Sequence, residues 1–177
     1  ETIADFDYDD CLGHACWLEP AEWLGGAKQT YPLHLISNQP TTKLHAQLDQ
    51  SKISRAIKVN EREAITLNPQ DANARNLKNG EIVKVHNDRG QCLAGVIVDD
   101  NIRCSVVQMS TGAWFDPENP GEAGSLCKHG NVNVLTLDKG TSKLAQGPIA
   151  HTCMVEVSKF EGEVPALTAY DPPEIKI

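Results

Sequence analysis

Between Glu81 and Met109 three short runs, EIVKVHN, QCLAGVIV and RCSVVQM, follow one another, separated by Asp88-Arg89-Gly90 and by a break at Asp99-Asp100-Asn101. Val and Ile crowd the preceding turn of a helix but fit a pleated strand, and Asp, Asn and Gly supply the reversals, so this stretch reads as closely spaced strands. YPLHLIS (31–37), AITLNP (64–69) and TCMVEVSKF (152–160) add three more strand-like runs. Six short strands with no strand–helix repeat favour an antiparallel or mixed β-barrel over a layered α/β sheet.

Two short helices are expected between the strands. In NQPTTKLHAQLD, Pro40 and Thr41 or Thr42 offer a start, and Leu44 and Leu48 fall four apart on one face. Asn68-Pro69 is an N-cap followed by proline at the first helical position, opening a helix through PQDANARNL that stops at Asn79-Gly80. Residues 1–30 have poor periodicity and a Gly25-Gly26 break, so they read as an irregular arm laid over the barrel of residues 31–160, with 161–177 as a C-terminal tail.

A net charge of −8 over 177 residues, with Lys and Arg scattered, argues against holding nucleic acid through its phosphates. The apolar runs are far too short to cross a bilayer, so no membrane insertion is expected. Six cysteines (Cys11, Cys16, Cys92, Cys104, Cys127 and Cys153) lack paired spacing, and a chain of this size needs no staples; free, mostly buried thiols are expected. Because the first residue is Glu1 rather than Met, the chain is read as a piece of a longer polypeptide.

The succession AITLNPQDANARNLKNGEIVKVHNDRGQCLAGVIVDD resembles the molybdopterin-dinucleotide-binding domain that closes the C-terminal end of large molybdenum oxidoreductases. SNQPTTKLHAQLD, GAWFDPENPGEAG and GNVNVLTLDKGTSKLAQG are similar to its dimethyl sulfoxide, trimethylamine N-oxide and biotin sulfoxide reductase branch, and the likeness runs in order from about residue 5 to 160. It implies a mainly β fold, a six-stranded double-psi β-barrel with a few short helices. The N-terminal arm would be the link from preceding domains of the larger enzyme.

The resemblance further implies a molybdenum bis-molybdopterin guanine dinucleotide cofactor, whose metal is held by the two pterins and by a serine of an earlier domain. This chain would then hold cofactor without catalytic residues or metal ligands of its own, and alone be inactive. The implied partners are the remaining domains, a small S-oxide or N-oxide substrate and an electron-donor cytochrome. The implied setting is anaerobic respiration, with export in folded form to the periplasm rather than residence in the cytoplasm.

A pterin dinucleotide presents a flat hydrogen-bonding bicycle, a pyrophosphate and a guanine, so its site calls for amide and imidazole side chains and for backbone N–H groups in turns. By position in the resemblance, Gln39 and His45 lie at one pterin and Asn133 and His151 at the other. Taken alone these are unremarkable: a surface or core histidine, a turn residue before Pro40, a polar interruption in a strand and a strand opening. Trp114, in GAWFDP, reads as a packing residue at the barrel edge. Thr141, Ser142, Lys143 and Gln146, flanked by Gly140 and Gly147, suit a loop brought close to an anionic or flat ligand, or else form an ordinary glycine turn.

Two rival functions come from other classes. Cys11, His14 and Cys16, completed by Cys127 and His129, would make a small zinc module, although the C-x4-C spacing is not that of closed zinc sites. A double-psi barrel can also serve as an adaptor that binds a protein partner, since fold does not fix function.

Overall fold

A computed structural model describes residues 3–27 and 30–172. Its strands are β1 (Leu33–Ile36), β2 (Ala64–Leu67), β3 (Ile82–His86), β4 (Gln91–Val98), β5 (Val106–Met109) and β6 (Thr152–Lys159), with helices α1 (Lys52–Ala56) and α2 (Pro69–Ala74). All six strands fall within the six runs that read as strands in the sequence. They close in the order β1-β5-β2-β4-β3-β6. The β1–β5 and β2–β4 pairs are parallel and the other four antiparallel. This mixed, closed, six-stranded arrangement agrees with the double-psi barrel.

Alternate residues point inward. Leu33 and Leu35, Ile65 and Leu67, Val83 and Val85, Val107 and Met109, and Val155 and Val157 are buried in one cluster that also holds Cys92, Ala94, Val96 and Cys153. β4 is buried on both faces for most of its length. A Cβ at Gly95 would stand 2.2 Å from Val59 Cβ, so the segment leading into β2 packs directly on the strand and only glycine permits the approach.

The helix at Asn68-Pro69 begins as expected, with Asn68 Oδ1 accepting from Gln70 N at 2.9 Å. It is shorter than expected and does not reach Asn79-Gly80. Asn76 turns left-handed at φ 54°, and Leu77 N donates to Ala72 O at 2.9 Å, a helix-ending geometry that drops Leu77 into the core. The other expected helix, from Pro40 to Leu48, is absent, and α1 begins at Lys52 instead. Residues 40–49 form turns with His45 at φ 50° and Leu48 at φ 66°. Leu44 and Leu48 are more than half exposed rather than forming a buried face.

The arm is irregular apart from a 3-10 turn at Ile3–Phe6, and its inner part packs on the barrel. Glu22 receives a forked contact from Arg89 at 2.6 and 2.9 Å and the β6 amide of Met154 at 2.8 Å. The tail after β6 runs back along the outside, and Thr168 and Tyr170 bond to loops at the opposite barrel end.

Candidate functional site

The strand pairings bring the C-terminal ends of β1, β3 and β5 to the same end of the barrel as the starts of β2, β4 and β6. Every sequence-predicted site residue lies in a segment opening on this end. Gln39 and His45 follow β1; Asn133, Thr141, Ser142, Lys143, Gln146 and His151 precede β6. Ser37 N donates to His151 O at 2.8 Å and Thr111 N to Asn38 O at 2.9 Å, so the β1, β5 and β6 loops adjoin at the mouth. Gly112, at φ 96°, supports them. A Cβ there would stand 1.8 Å from His45 O, so the His45 loop rests on a position where no side chain fits.

Asn133 stands apart from this group. It belongs to a 3-10 turn (Val132–Val134) seated on the β3–β4 turn, where Arg89 Nε and Asn87 Nδ2 both donate to Leu135 O at 2.8 Å. Among the described residues no hydrogen bond joins Asn133 to His151.

The polar groups of this end differ in how far they are already engaged. Among the described residues the side chains of His45, Asn133 and His151, all exposed, make no hydrogen bond or ion pair. Gln39 donates through Nε2 to Lys43 O at 2.7 Å, which leaves its carbonyl oxygen open. Between Gln39 and His45, the Thr42 hydroxyl is buried and has no partner.

The glycine-flanked loop is a small, self-bonded hairpin. Thr141 N donates to Gly147 O at 2.8 Å, Ser142 N to Ala145 O at 2.9 Å, and Gln146 Nε2 to Ser142 O at 2.9 Å. Lys143 is paired with Asp9 of the arm at 2.7 Å, both side chains more than half exposed. An anion at Lys143 would therefore displace a solvated carboxylate.

Beneath these loops lies a cluster that sequence reasoning missed. Lys43 Nζ contacts Asp49 Oδ1 at 2.7 Å and Glu63 Oε2 at 2.9 Å, and Lys58 Nζ contacts the same two oxygens at 3.0 and 2.8 Å. The four side chains are at most 3% exposed. Burial alone would push the Asp49 carboxyl up, but hydrogen bonds from Lys43 and Lys58 overcome it and hold the group at about 2. Burial likewise opposes the Lys43 charge and is outweighed by Asp49 and Glu63, which raise it.

His129, fully buried, extends this cluster. Its Nδ1 donates to Trp114 O at 3.0 Å, which leaves Nε2 as an acceptor, and the single Tyr170 hydroxyl proton is shared between Nε2 at 2.9 Å and Asp49 Oδ2 at 3.2 Å. Burial, reinforced by the Lys58 charge, pushes His129 below the usual histidine range, so it is neutral at physiological pH. Trp114 packs edge-on against Tyr170 and donates from Nε1 to Ala46 O at 2.7 Å, the packing role read from its sequence. No local pattern marks these residues, because Lys, Asp and Glu in polar sequence read as solvated.

The zinc reading finds no support here. Cys127 and His129 are core residues engaged with Asn131 N and with Trp114 and Tyr170. Among the described residues no three His, Cys, Asp or Glu side chains are grouped to hold a metal. The six cysteines are unpaired: Cys92, Cys127 and Cys153 are buried, Cys11 is half-buried, and Cys16 and Cys104 are exposed. The expectation of mostly buried thiols thus holds for the three in or beside the barrel core and fails for the three in the arm and the β4–β5 loop, which lie outside the core cluster.

A family model described as Molydopterin dinucleotide binding domain matches residues 33–154. The chain belongs to this family. Its curated relatives include Trimethylamine-N-oxide reductase 1 of Escherichia coli (strain K12), 49% identical over 95% of this chain and 20% of that protein. Dimethyl sulfoxide/trimethylamine N-oxide reductase of Cereibacter sphaeroides is 43% identical over 98% of this chain and 21% of that protein. The chain spans about a fifth of the length of the curated relatives it matches. Among solved structures, acetylene hydratase from Pelobacter acetylenicus superposes with a TM-score of 0.63 at 16% identity, covering 82% of this chain and 21% of that one, a likeness of fold.

The residues present fit the group the family name describes. A flat, polar bicycle needs donors and acceptors not already spent within the protein. His45, Asn133, His151, the Gln39 carbonyl and the orphaned Thr42 hydroxyl are such groups, carried by loops of one barrel end.

Proposed function

We propose that this chain is the cofactor-binding C-terminal domain of a larger reductase acting on S-oxides or N-oxides. Two molybdopterin guanine dinucleotides with one molybdenum would be its cofactor. The reading is carried by one observation, the convergence on a single barrel end of imidazole, amide and hydroxyl groups that the described protein leaves unpartnered, in a chain of this family.

In this reading Gln39, Thr42 and His45 bond the edge of one pterin and Asn133 and His151 that of the other, while Thr141, Ser142, Lys143 and Gln146 border an anionic part of the cofactor. The bound group supplies the molybdenum at which an oxygen atom is taken from the oxide. The chain's own residues bind and orient, and the remaining metal ligand and the substrate path belong to other domains. Among the described residues no helix is long and apolar enough to cross a membrane. A periplasmic enzyme of anaerobic respiration, reduced by a cytochrome, is the setting this reading favours. An adaptor role would leave the convergent polar groups without a ligand.

The test is made on the full-length protein that carries this chain. It should contain molybdenum and two guanine nucleotides for each metal after acid release, and should oxidise a reduced viologen dye with trimethylamine N-oxide or dimethyl sulfoxide. A protein purified without molybdenum and without guanine nucleotide would overturn the proposal.

A further inference from the structure

Lys43 and Asp49 bracket the residues that carry His45, and each is locked to the other and to the entry of β2 by buried charge. We infer that the ring of Lys43, Asp49, Lys58 and Glu63 positions the segment that presents His45 to the cofactor, an inference that rests on the cofactor-binding reading above.

The ring has two cations and two carboxylates and no net charge. Burying such a set gains little stability over apolar side chains of the same size, whereas removing one member leaves an uncompensated charge. Its effect is therefore sought in the geometry it dictates. The 2.7 Å contact between Lys43 Nζ and Asp49 Oδ1 closes a loop in which residues 44–48 must reverse within a few residues. His45 and Leu48 take left-handed backbone there, a conformation that side-chain-bearing residues keep only when the surroundings impose it.

Hydrophobic burial does not impose it, because Leu44 and Leu48 are 57% and 60% exposed. The constraint comes from polar anchors. Asp49 Oδ1 takes both lysines, and its Oδ2 takes Trp114 N at 3.1 Å and the Tyr170 hydroxyl at 3.2 Å. Trp114 Nε1 holds Ala46 O, and His45 O lies on Gly112. Asp49 thereby joins the β1 loop, the β2 entry, the β5 exit and the tail at one carboxylate. The His45 imidazole has no partner among the described residues, so the backbone alone aims it. These four are positioning residues.

The experiment measures molybdenum and guanine nucleotide content, together with amide hydrogen exchange, in the full-length protein. Asp49→Asn keeps the shape of the side chain and leaves two ammonium groups against Glu63. Exchange should rise at residues 44–48 with β-strand amides unchanged, and cofactor retention should fall about tenfold, the scale seen when the shell supporting a ligand-contacting residue is removed. Adding Lys58→Met to Asp49→Asn restores charge balance and should recover most of the retention, which a general loss of fold would not allow. His45→Ala is the control for the underlying reading. If His45→Ala lowers retention while Asp49→Asn leaves exchange and retention as in the wild type, the positioning inference fails and the binding reading stands. If His45→Ala retains full cofactor, both fail. Should Asp49→Asn not fold, Tyr170→Phe, which removes one hydrogen bond to the same carboxylate without changing charge, is scored in the same way.

Discussion

The Tyr170 hydroxyl meets His129 Nε2 at 2.9 Å and so ties the C-terminal tail to a fully buried imidazole at the barrel end where the candidate residues lie. Tyr170→Phe removes this bond and the 3.2 Å contact with Asp49 while keeping the ring against Trp114. A loss of about 1 kcal/mol is expected, read from the midpoint of urea unfolding.

His129 also sets an acid limit. Burial holds its folded pKa below the ordinary 6.5, so on acidification the unfolded chain takes up the proton first. Its contribution to stability is intact above pH 6.5 and is lost as pH falls from 6.5 toward the lower folded value. Burial depresses His34 and His86 in the same direction, so the wild type is compared with His129→Gln, whose stability should fall less steeply over that range. At lower pH the Asp49 contribution, present above 3.8, is lost as pH falls toward about 2. Thermal midpoints measured from pH 7.5 to pH 2.5 check both limbs.

The fork between Arg89 and Glu22 anchors the arm. Burial would push the Glu22 carboxyl up, but the Arg89 hydrogen bond and the Met154 amide outweigh it and hold it low. Glu22→Ala is expected to cost about 1–3 kcal/mol, because a charge-assisted contact is lost and Met154 N is left without its partner. Limited proteolysis should then cut first within residues 1–27.

The thiols divide by environment. Alkylation at pH 8, followed by peptide mass spectrometry, should label Cys16 and Cys104 first and Cys11 more slowly. Cys92, Cys127 and Cys153 should stay unlabelled until denaturation. Burial pushes the Cys92 thiol well up and brings Cys153 to about 12, so neither offers thiolate at that pH. Labelling of Cys153 in the native protein would contradict the closed β1–β6 seam.

Asn133→Ala and His151→Ala address the site itself. In the full-length protein each should weaken cofactor retention by about 1–3 kcal/mol, the cost of leaving a polar edge of the ligand unpaired, with little change in unfolding. If both touch one pterin the double variant is non-additive, and strict additivity would assign them to different parts of the cofactor. The structure sharpens this test, since it seats Asn133 by the β3–β4 turn and His151 beside β1.

The strands were legible in the sequence because short runs rich in Val, Ile and Leu bounded by turn residues are a local signal, and the Asn68 cap and the Asp88-Arg89-Gly90 reversal are local too. The candidate residues Gln39, His45, Asn133 and His151 came from motif order rather than from any signal of their own. Tertiary structure alone decided the rest. The parallel β1–β5 and β2–β4 pairs join strands far apart in the chain, and they put the loops of all the candidate residues at one end. The stretch from Pro40 to Leu48, helical by spacing, became a strained loop because the Lys43–Asp49 pair is buried against Lys58 and Glu63. No local pattern says which lysines and carboxylates will lose their water: Lys43 meets Glu63, and Tyr170 meets Asp49 and His129, only after the barrel has closed and the tail has folded back over it.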